Sequence, residues 1–260
     1  MSMTKRIQDR MVAGIKLLRP TIEAQKARDV SEADTVTLVK DVLSAILGYD
    51  KYAELTSEHH IRGTYCDIAI HVGEKLWSLI EVKSAGTALD DRHVKQAIDY
   101  ACNKGVEWCM LTNGWEWRLY NVIFAKPIEK QLITQIDLLT INTRDEDALA
   151  RLFALSREGF AKGAHTEARD RINATSKHLI AALLLTNEDI INVIRRELRK
   201  VVDVKIETDD LLPVLEQQLI KRDCLDGLEA QAAMAKVSKG RRASKAAVSK
   251  RASDDSESPD

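Results

Sequence analysis

Asp67 is followed fourteen residues later by Glu81-Val82-Lys83. Each group stands in an apolar run with strand-like spacing. Two carboxylates and an ammonium brought together from adjacent strands can hold a Mg²⁺ ion and steer a water beside it. That is the minimum equipment for metal-assisted hydrolysis of a phosphodiester. Side chains alternate along a strand, so Glu81 and Lys83 share a face and Val82 points to the other. Asp67 lies six residues before the Gly73-Glu74 turn and Glu81 seven after it, so an antiparallel hairpin sets the two acids on neighbouring strands at similar height. Carboxylates that close repel, and a divalent cation relieves the repulsion. Mg²⁺ takes a few protein oxygens and keeps several waters, which leaves the Val82 carbonyl as a plausible third protein ligand. Lys83 would orient or deprotonate the attacking water and offset charge on the phosphorane. The competing reading is a solvated Glu-x-Lys pair, common on strand faces. Leu76-Trp77-Ser78-Leu79-Ile80 speaks against it, because charge at the end of a buried strand is costly without a partner.

The elements that must carry these residues are legible from periodicity. Residues 5 to 28 have helical spacing in Ile7, Met11, Ile15 and Leu18, with Pro20 expected to kink or end the helix. Ser31 N-caps a second helix with Glu32 and Asp34 in its first turn, a stripe of Val36, Val39, Leu43, Ile46 and Leu47, and Gly48 as its stop. A loose strand over 54–61, an alternating strand over 65–72 and a nearly continuous apolar strand over 76–83 predict a three-stranded antiparallel meander. Helical spacing returns at 89–104 and ends at Gly105. Two further strands, 106–111 and 115–121, are joined through Asn113-Gly114, a strong hairpin signal. On the 89–104 helix, Gln96 and Tyr100 are four apart and share a face, where an amide and a phenol suit a phosphate or the catalytic face. The bland alternative is an amphipathic helix with a half-buried Tyr.

From about residue 146 the pattern is helical. Thr186-Asn187-Glu188-Asp189 reads as a capping box opening a helix through Lys200, Val201–Ile206 as a short strand, and Thr208-Asp209-Asp210 as another helix start. Beyond 233 almost no large apolar residue remains, so a disordered tail is expected. Its basic run, 236–251, holds seven Lys and Arg and no acid, either a solubilising tail or a non-specific nucleic-acid arm. The expected organisation is 1–27 N-terminal helix, 28–145 catalytic core, 146–232 helical C-terminal domain and 233–260 tail.

Composition bounds the rest. The chain has 260 residues, a net charge of -1 and no apolar run of membrane-span length, so neither nucleic-acid nor acidic partners are excluded. The N-terminus lacks the apolar stretch of a secretory signal, and the four cysteines show no CxxC spacing. A cytoplasmic protein with reduced thiols is expected. His59-His60 are adjacent on a strand and point to opposite faces, so they cannot grip one ion together, while Glu58 is a weak candidate for an auxiliary acid. The four tryptophans read as packing residues.

The run through Asp67, Glu81-Val82-Lys83, Gln96-Ala97-Ile98-Asp99-Tyr100 and Leu111-Thr112-Asn113-Gly114, with Trp117, Leu119 and Tyr120, resembles the N-terminal nuclease domain of type I restriction enzyme R subunits. That domain is of the PD-(D/E)XK superfamily. The resemblance covers about residues 28 to 125. It implies that Asp67 and Glu81 are metal-binding carboxylates and Lys83 the catalytic lysine. Gln96 and Tyr100 would form the Q-x-x-x-Y motif of this branch, and Glu32 the acid that completes the site. Cys66 replaces the proline of the family name. No Walker A loop or helicase motor follows, so the likeness is to small stand-alone relatives with a helical extension, and no nucleotide cofactor is expected. The expected fold is α/β, a PD-(D/E)XK restriction-endonuclease-like core of helix, three-strand meander, helix and two strands. The expected activity is Mg²⁺-dependent (or Mn²⁺-dependent) endonucleolytic hydrolysis of DNA, in restriction or phage–host conflict. A homodimer through the helical domain would cut both strands. The rival is a non-catalytic nucleic-acid-binding or assembly protein that kept the fold. The intact Asp67, Glu81 and Lys83 argue against it, and the neutral net charge mildly for it.

Overall fold

The computed structural model describes residues 3–61 and 64–254, and the side chains of 58–65 and 241–254 lie outside what it describes. Glu58, His59 and His60 and most of the basic run fall there. The chain divides into two units, Met1–Asp170 and Arg171–Asp260.

The first unit is mixed α/β. Helices α1 (Lys5–Ala27) and α2 (Glu32–Ala45) precede strands β1 (Leu55–Ile61), β2 (Thr64–Val72) and β3 (Lys75–Val82). Then come α3 (Lys95–Lys104), β4 (Trp108–Thr112), β5 (Glu116–Ile123) and β6 (Glu129–Asp137). Helices α4 (Glu146–Phe153) and α5 (Arg157–Ala161) follow, and α6 (Ala164–Ala174) runs across the boundary. The strands form one sheet in chain order. All neighbours are antiparallel except β3 and β4, which α3 connects as a parallel pair.

Both faces of this sheet are covered. Ile68, Ile70, Ile80, Val82 and Met110 pack with α1, α2, α4 and α5. Ala69, Leu79, Cys109 and Leu111 pack with Val94, Ala97, Ile98 and Ala101 around α3 on the other side. Two-sided burial is why β3 reads as a continuous apolar run. Ser31 caps α2 as expected, its hydroxyl accepting from the Asp34 N–H. Pro20 does not end α1, which continues to Ala27 with buried Ile15 before the proline and Ile22 after it anchoring both halves. Gly14 packs so close to the end of α2 that a Cβ would lie 2.7 Å from the Ala45 carbonyl oxygen.

Strand β6 was not expected from sequence. Its outward alternation is blurred, because the ladder to β5 slips at Leu119/Tyr120. Helices α4 and α5, expected with the helical domain, pack Leu149, Leu152, Phe153 and Phe160 into the core of the first unit.

The second unit is helical: α7 (Lys177–Thr186), α8 (Glu188–Val202), α9 (Thr208–Val214), two short turns and α10 (Gly227–Asp254). Asn187, not Thr186, caps α8 by accepting from the N–H groups of Asp189 and Ile190. Thr186 ends α7, and its hydroxyl bonds the Ala182 carbonyl. Val201 and Val202 extend α8 instead of starting a strand, and Asp203, at φ +51°, terminates it. The expected disorder is corrected over 233–254, since helix α10 runs through to Asp254, while 255–260 lie outside the described residues. Alanine is the best helix former, and Ala233, Met234 and Val237 meet Leu179, Ala182 and Leu183 of α7. Among the described residues no helix is long and apolar enough to cross a membrane.

Deleting residues 233–260 removes Ala233, Met234 and Val237 from this contact. The loss is expected to lower the unfolding free energy of the second unit by about 2–4 kcal/mol. Deleting 241–260, which spares them, should leave it unchanged. Urea melts of the two truncations decide, and equal midpoints would mean that α10 adds no stability.

Candidate active site

The ladder between β2 and β3 stops at Ile68↔Ile80. One step further Asp67 would stand opposite Glu81, but the strands splay there. The Asp67 carboxylate instead accepts from the Val82 N–H at 2.7 Å. Beyond that point β3 is held by β4, pairing Glu81 with Leu111 and Val82 with Thr112, and the Lys83 N–H donates to the Thr112 carbonyl at 2.8 Å. The splay opens the end of β3 to one side while the parallel neighbour keeps it straight.

Glu81 is only 3% exposed. Its Oε1 accepts from Lys83 Nζ at 2.7 Å, and its Oε2 is buried with no hydrogen-bond partner among the described residues. Burial pushes the Glu81 carboxyl up to about 7, opposed by the Lys83 hydrogen bond and reinforced by the negative charges of Asp67 and Glu32. Burial works against the Lys83 charge. The hydrogen bond to Glu81 and the charges of Glu81 and Glu32 outweigh it and raise the ammonium's pKa. The cation is therefore firm, and Glu81 is the group that titrates near neutrality. Glu32, in the first turn of α2, sits 3.3 Å from Lys83 Nζ.

The structure thus joins Asp67, Val82, Glu81, Lys83 and Glu32 in one chain of contacts. Gln96 and Tyr100 lie on α3 but differ in surroundings: Gln96 is exposed, whereas Tyr100 is wholly buried in the α3 core. Burial, together with nearby Cys66, raises the phenol's pKa. Cys66 donates its thiol to the Ile68 and Ile80 carbonyls and is pushed up to about 12 by burial. All four cysteines are free.

Among the described residues no three His, Cys, Asp or Glu side chains gather closely enough to hold a metal alone. Glu32 turns to Lys83 instead of joining the pair. The donor set suits a hard cation that keeps most of its waters: two carboxylates, one with an unpartnered buried oxygen. It does not suit a cation needing a full protein cage.

A cavity of about 410 Å³ lies at the far ends of β3 and β4, lined by Trp77, Trp108, Phe160 and His165. Its rings pack on one another, Phe160 and His165 with centroids 4.0 Å apart, as the sequence reading expected of the tryptophans. It takes no part in the acid cluster. Sequence reading passed over the Ser84–Thr87 turn after Lys83. Its ties to Trp115 and Asn113 are an indole N–H to the Ala85 carbonyl at 2.8 Å and an amide to the Thr87 carbonyl at 2.9 Å. The Asn113-Gly114 signal predicted the hairpin there but not what it holds.

Residues 38–136 match the family model of the type I restriction enzyme R protein N terminus. The resemblance carried by the motif residues is therefore shown for this stretch. It spans Asp67 through Tyr100 and starts after Glu32. No curated protein and no solved structure matches the chain.

A carboxyl whose pKa rises on folding binds more protons folded than unfolded, so it destabilises the fold as pH climbs from 4.5 to about 7. Glu81→Gln should raise the unfolding free energy of the metal-free protein by roughly 1–3 kcal/mol at pH 8. The gain should shrink through that window and vanish below about 4.5. Chemical melts of both proteins over pH check this. A pH-independent difference would show that Glu81 titrates normally.

Proposed function

We propose that the chain is a Mg²⁺-dependent (or Mn²⁺-dependent) endonuclease that hydrolyses DNA phosphodiester bonds, acting in restriction or phage–host conflict. The observation that carries this reading is the buried, unpartnered Glu81 Oε2 beside Asp67, on a stretch matching a restriction-enzyme domain. The core is read as the PD-(D/E)XK type. Asp67, Glu81 and the Val82 carbonyl would hold the cation, which when bound polarises the scissile phosphate and acidifies a water.

The protein's own groups do the rest. Lys83, kept charged by Glu81 and Glu32, donates hydrogen bonds to the water and to the phosphate oxygens, where charge grows in the transition state. Its raised pKa makes it a donor in the resting site and not a base. The Val82 N–H orients Asp67, and burial of Glu81 keeps bulk water from competing for its free oxygen. Gln96, exposed on α3, would meet the nucleic acid, while Tyr100 packs in the core beneath the helix. A homodimer through the second unit would put two sites on one duplex. The exposed Val193, Val201, Val202 and Leu219 fit such a contact.

Asp67→Ala and Glu81→Ala should each abolish Mg²⁺-dependent cleavage of plasmid DNA while leaving the fold intact. Lys83→Ala should lower the rate roughly 10²- to 10³-fold with little change in the Mg²⁺ concentration at half-activity. Mg²⁺ should also raise the melting temperature more at pH 8 than at pH 5.5, because a protonated Glu81 competes with the cation. A parent that binds DNA without cutting it under any divalent cation would favour the non-catalytic reading.

A further inference from the structure

Helix α1 ends in a Schellman turn with an unusual residue at its pivot. The Val30 N–H reaches back to the Gln25 carbonyl and the Asp29 N–H to the Lys26 carbonyl, the paired bonds that define the motif. The residue after the cap must then be left-handed, and here it is Asp29 at φ +45°. Glycine is the usual occupant, because an L side chain is disfavoured in that region. The Asp29 side chain has a definite employment across the chain. Its Oδ1 accepts from the Gly86 N–H at 2.8 Å, and the neighbouring Val30 carbonyl accepts from the Ala85 N–H at 3.3 Å.

Gly86 is fitted to this contact from the other side. It has no left-handed φ to require glycine, yet a Cβ there would lie 2.2 Å from Asp29 Oδ1. The turn also closes on itself through Ser84 and Thr87 hydroxyls 2.6 Å apart. With the Trp115 indole on Ala85 and the Asn113 amide on Thr87, the turn leaving Lys83 is bonded from both flanks. Glu32, the second partner of Lys83, stands three residues after Asp29. One short segment therefore fixes both where Lys83 leaves β3 and the acid that it meets.

We infer that Asp29 is a positioning residue for Lys83. Its carboxylate clamps the 84–87 turn, so that the ammonium is presented to the reacting phosphate instead of drifting with a loose loop. The inference rests on the nuclease reading above. Glycine would serve the helix end at least as well, so the aspartate is there for the clamp.

The test compares Asp29→Gly, Asp29→Asn and Gly86→Ala with the parent, using Asp67→Ala as the control. Asp29→Gly should keep the parental melting temperature, since relief of the left-handed side chain offsets one exposed hydrogen bond. It should lower kcat for Mg²⁺-dependent plasmid cleavage roughly 10- to 100-fold, with KM for DNA unchanged. Asp29→Asn, which retains an oxygen acceptor and tolerates the left-handed region, should restore most of the rate. Gly86→Ala should be slow in the parent background and partly relieved when combined with Asp29→Gly. Amide exchange at Gly86 should quicken in Asp29→Gly and not in Asp29→Asn, a readout that needs no turnover. Parental kcat and parental exchange in Asp29→Gly would overturn the inference. So would a fall in melting temperature in Asp29→Gly with a matching fall and no recovery of rate in Asp29→Asn, which marks a purely structural residue. Undiminished cleavage by Asp67→Ala would sink the nuclease reading itself, whatever Asp29 does.

Discussion

The burial of one carboxylate governs this structure. Glu81 sits where β3 loses its antiparallel neighbour and keeps its parallel one, with one oxygen on Lys83 and the other without a partner among the described residues. A buried anion without full hydrogen bonding is unfavourable by amounts that rival the whole net stability of a domain. The fold lowers that burden by letting Glu81 take a proton near neutrality and by holding an ammonium against it. The surrounding architecture works to keep the arrangement from collapsing. Apolar packing on both faces fixes β3, and the Lys83 N–H continues the β4 ladder past the strand's end.

The same constraint explains why the site lies at this edge of the parallel pair. Strands β2 and β3 share a regular ladder up to Ile68↔Ile80, then part. Splaying frees backbone groups, and the Asp67 carboxylate takes up the Val82 N–H that β2 no longer bonds. An acid in that role both satisfies the backbone and brings a second negative charge to Glu81. Satisfying the Val82 N–H uses one Asp67 oxygen and is compatible with the metal-ligand role proposed for this carboxylate.

Much of this was legible in the sequence for identifiable reasons. β2 and β3 announced themselves by alternation and by a continuous apolar run, Asn113-Gly114 by turn chemistry, and Ser31 by its cap. Those signals are local. The failures are cases where distant contacts overrule local ones. Pro20 is carried by buried residues on either side of it, and β6 is a strand because β5 offers an edge. Composition alone made α10 look disordered, yet a few small apolar residues meeting α7 suffice beside a high alanine content. Tyr100 shares spacing with Gln96, but Tyr100 packs in the apolar cluster between α3 and the sheet while Gln96 lies exposed. The Asp29–Gly86 contact spans 57 residues and involves a glycine whose φ is ordinary, so no sequence pattern marks it.

Charge counting ties these elements together. Asp67, Glu81 and Glu32 bring three negative charges when ionised, and Lys83 returns one, leaving an excess of two within one chain of contacts. In the protein alone, burial first and that excess second push the carboxyl of its most buried member, Glu81, up to about 7. A divalent cation meets it without a proton and would let Glu81 ionise fully. On the reading proposed above the two solutions are alternatives, and proton and cation would compete for Glu81. Lys83 has two acids against its ammonium, Glu81 at 2.7 Å and Glu32 at 3.3 Å, so it would keep a partner if Glu81 bound a cation. The acid on α2 is then best understood as the lysine's second anchor. It ties the first turn of α2 to the end of β3 through one shared ammonium.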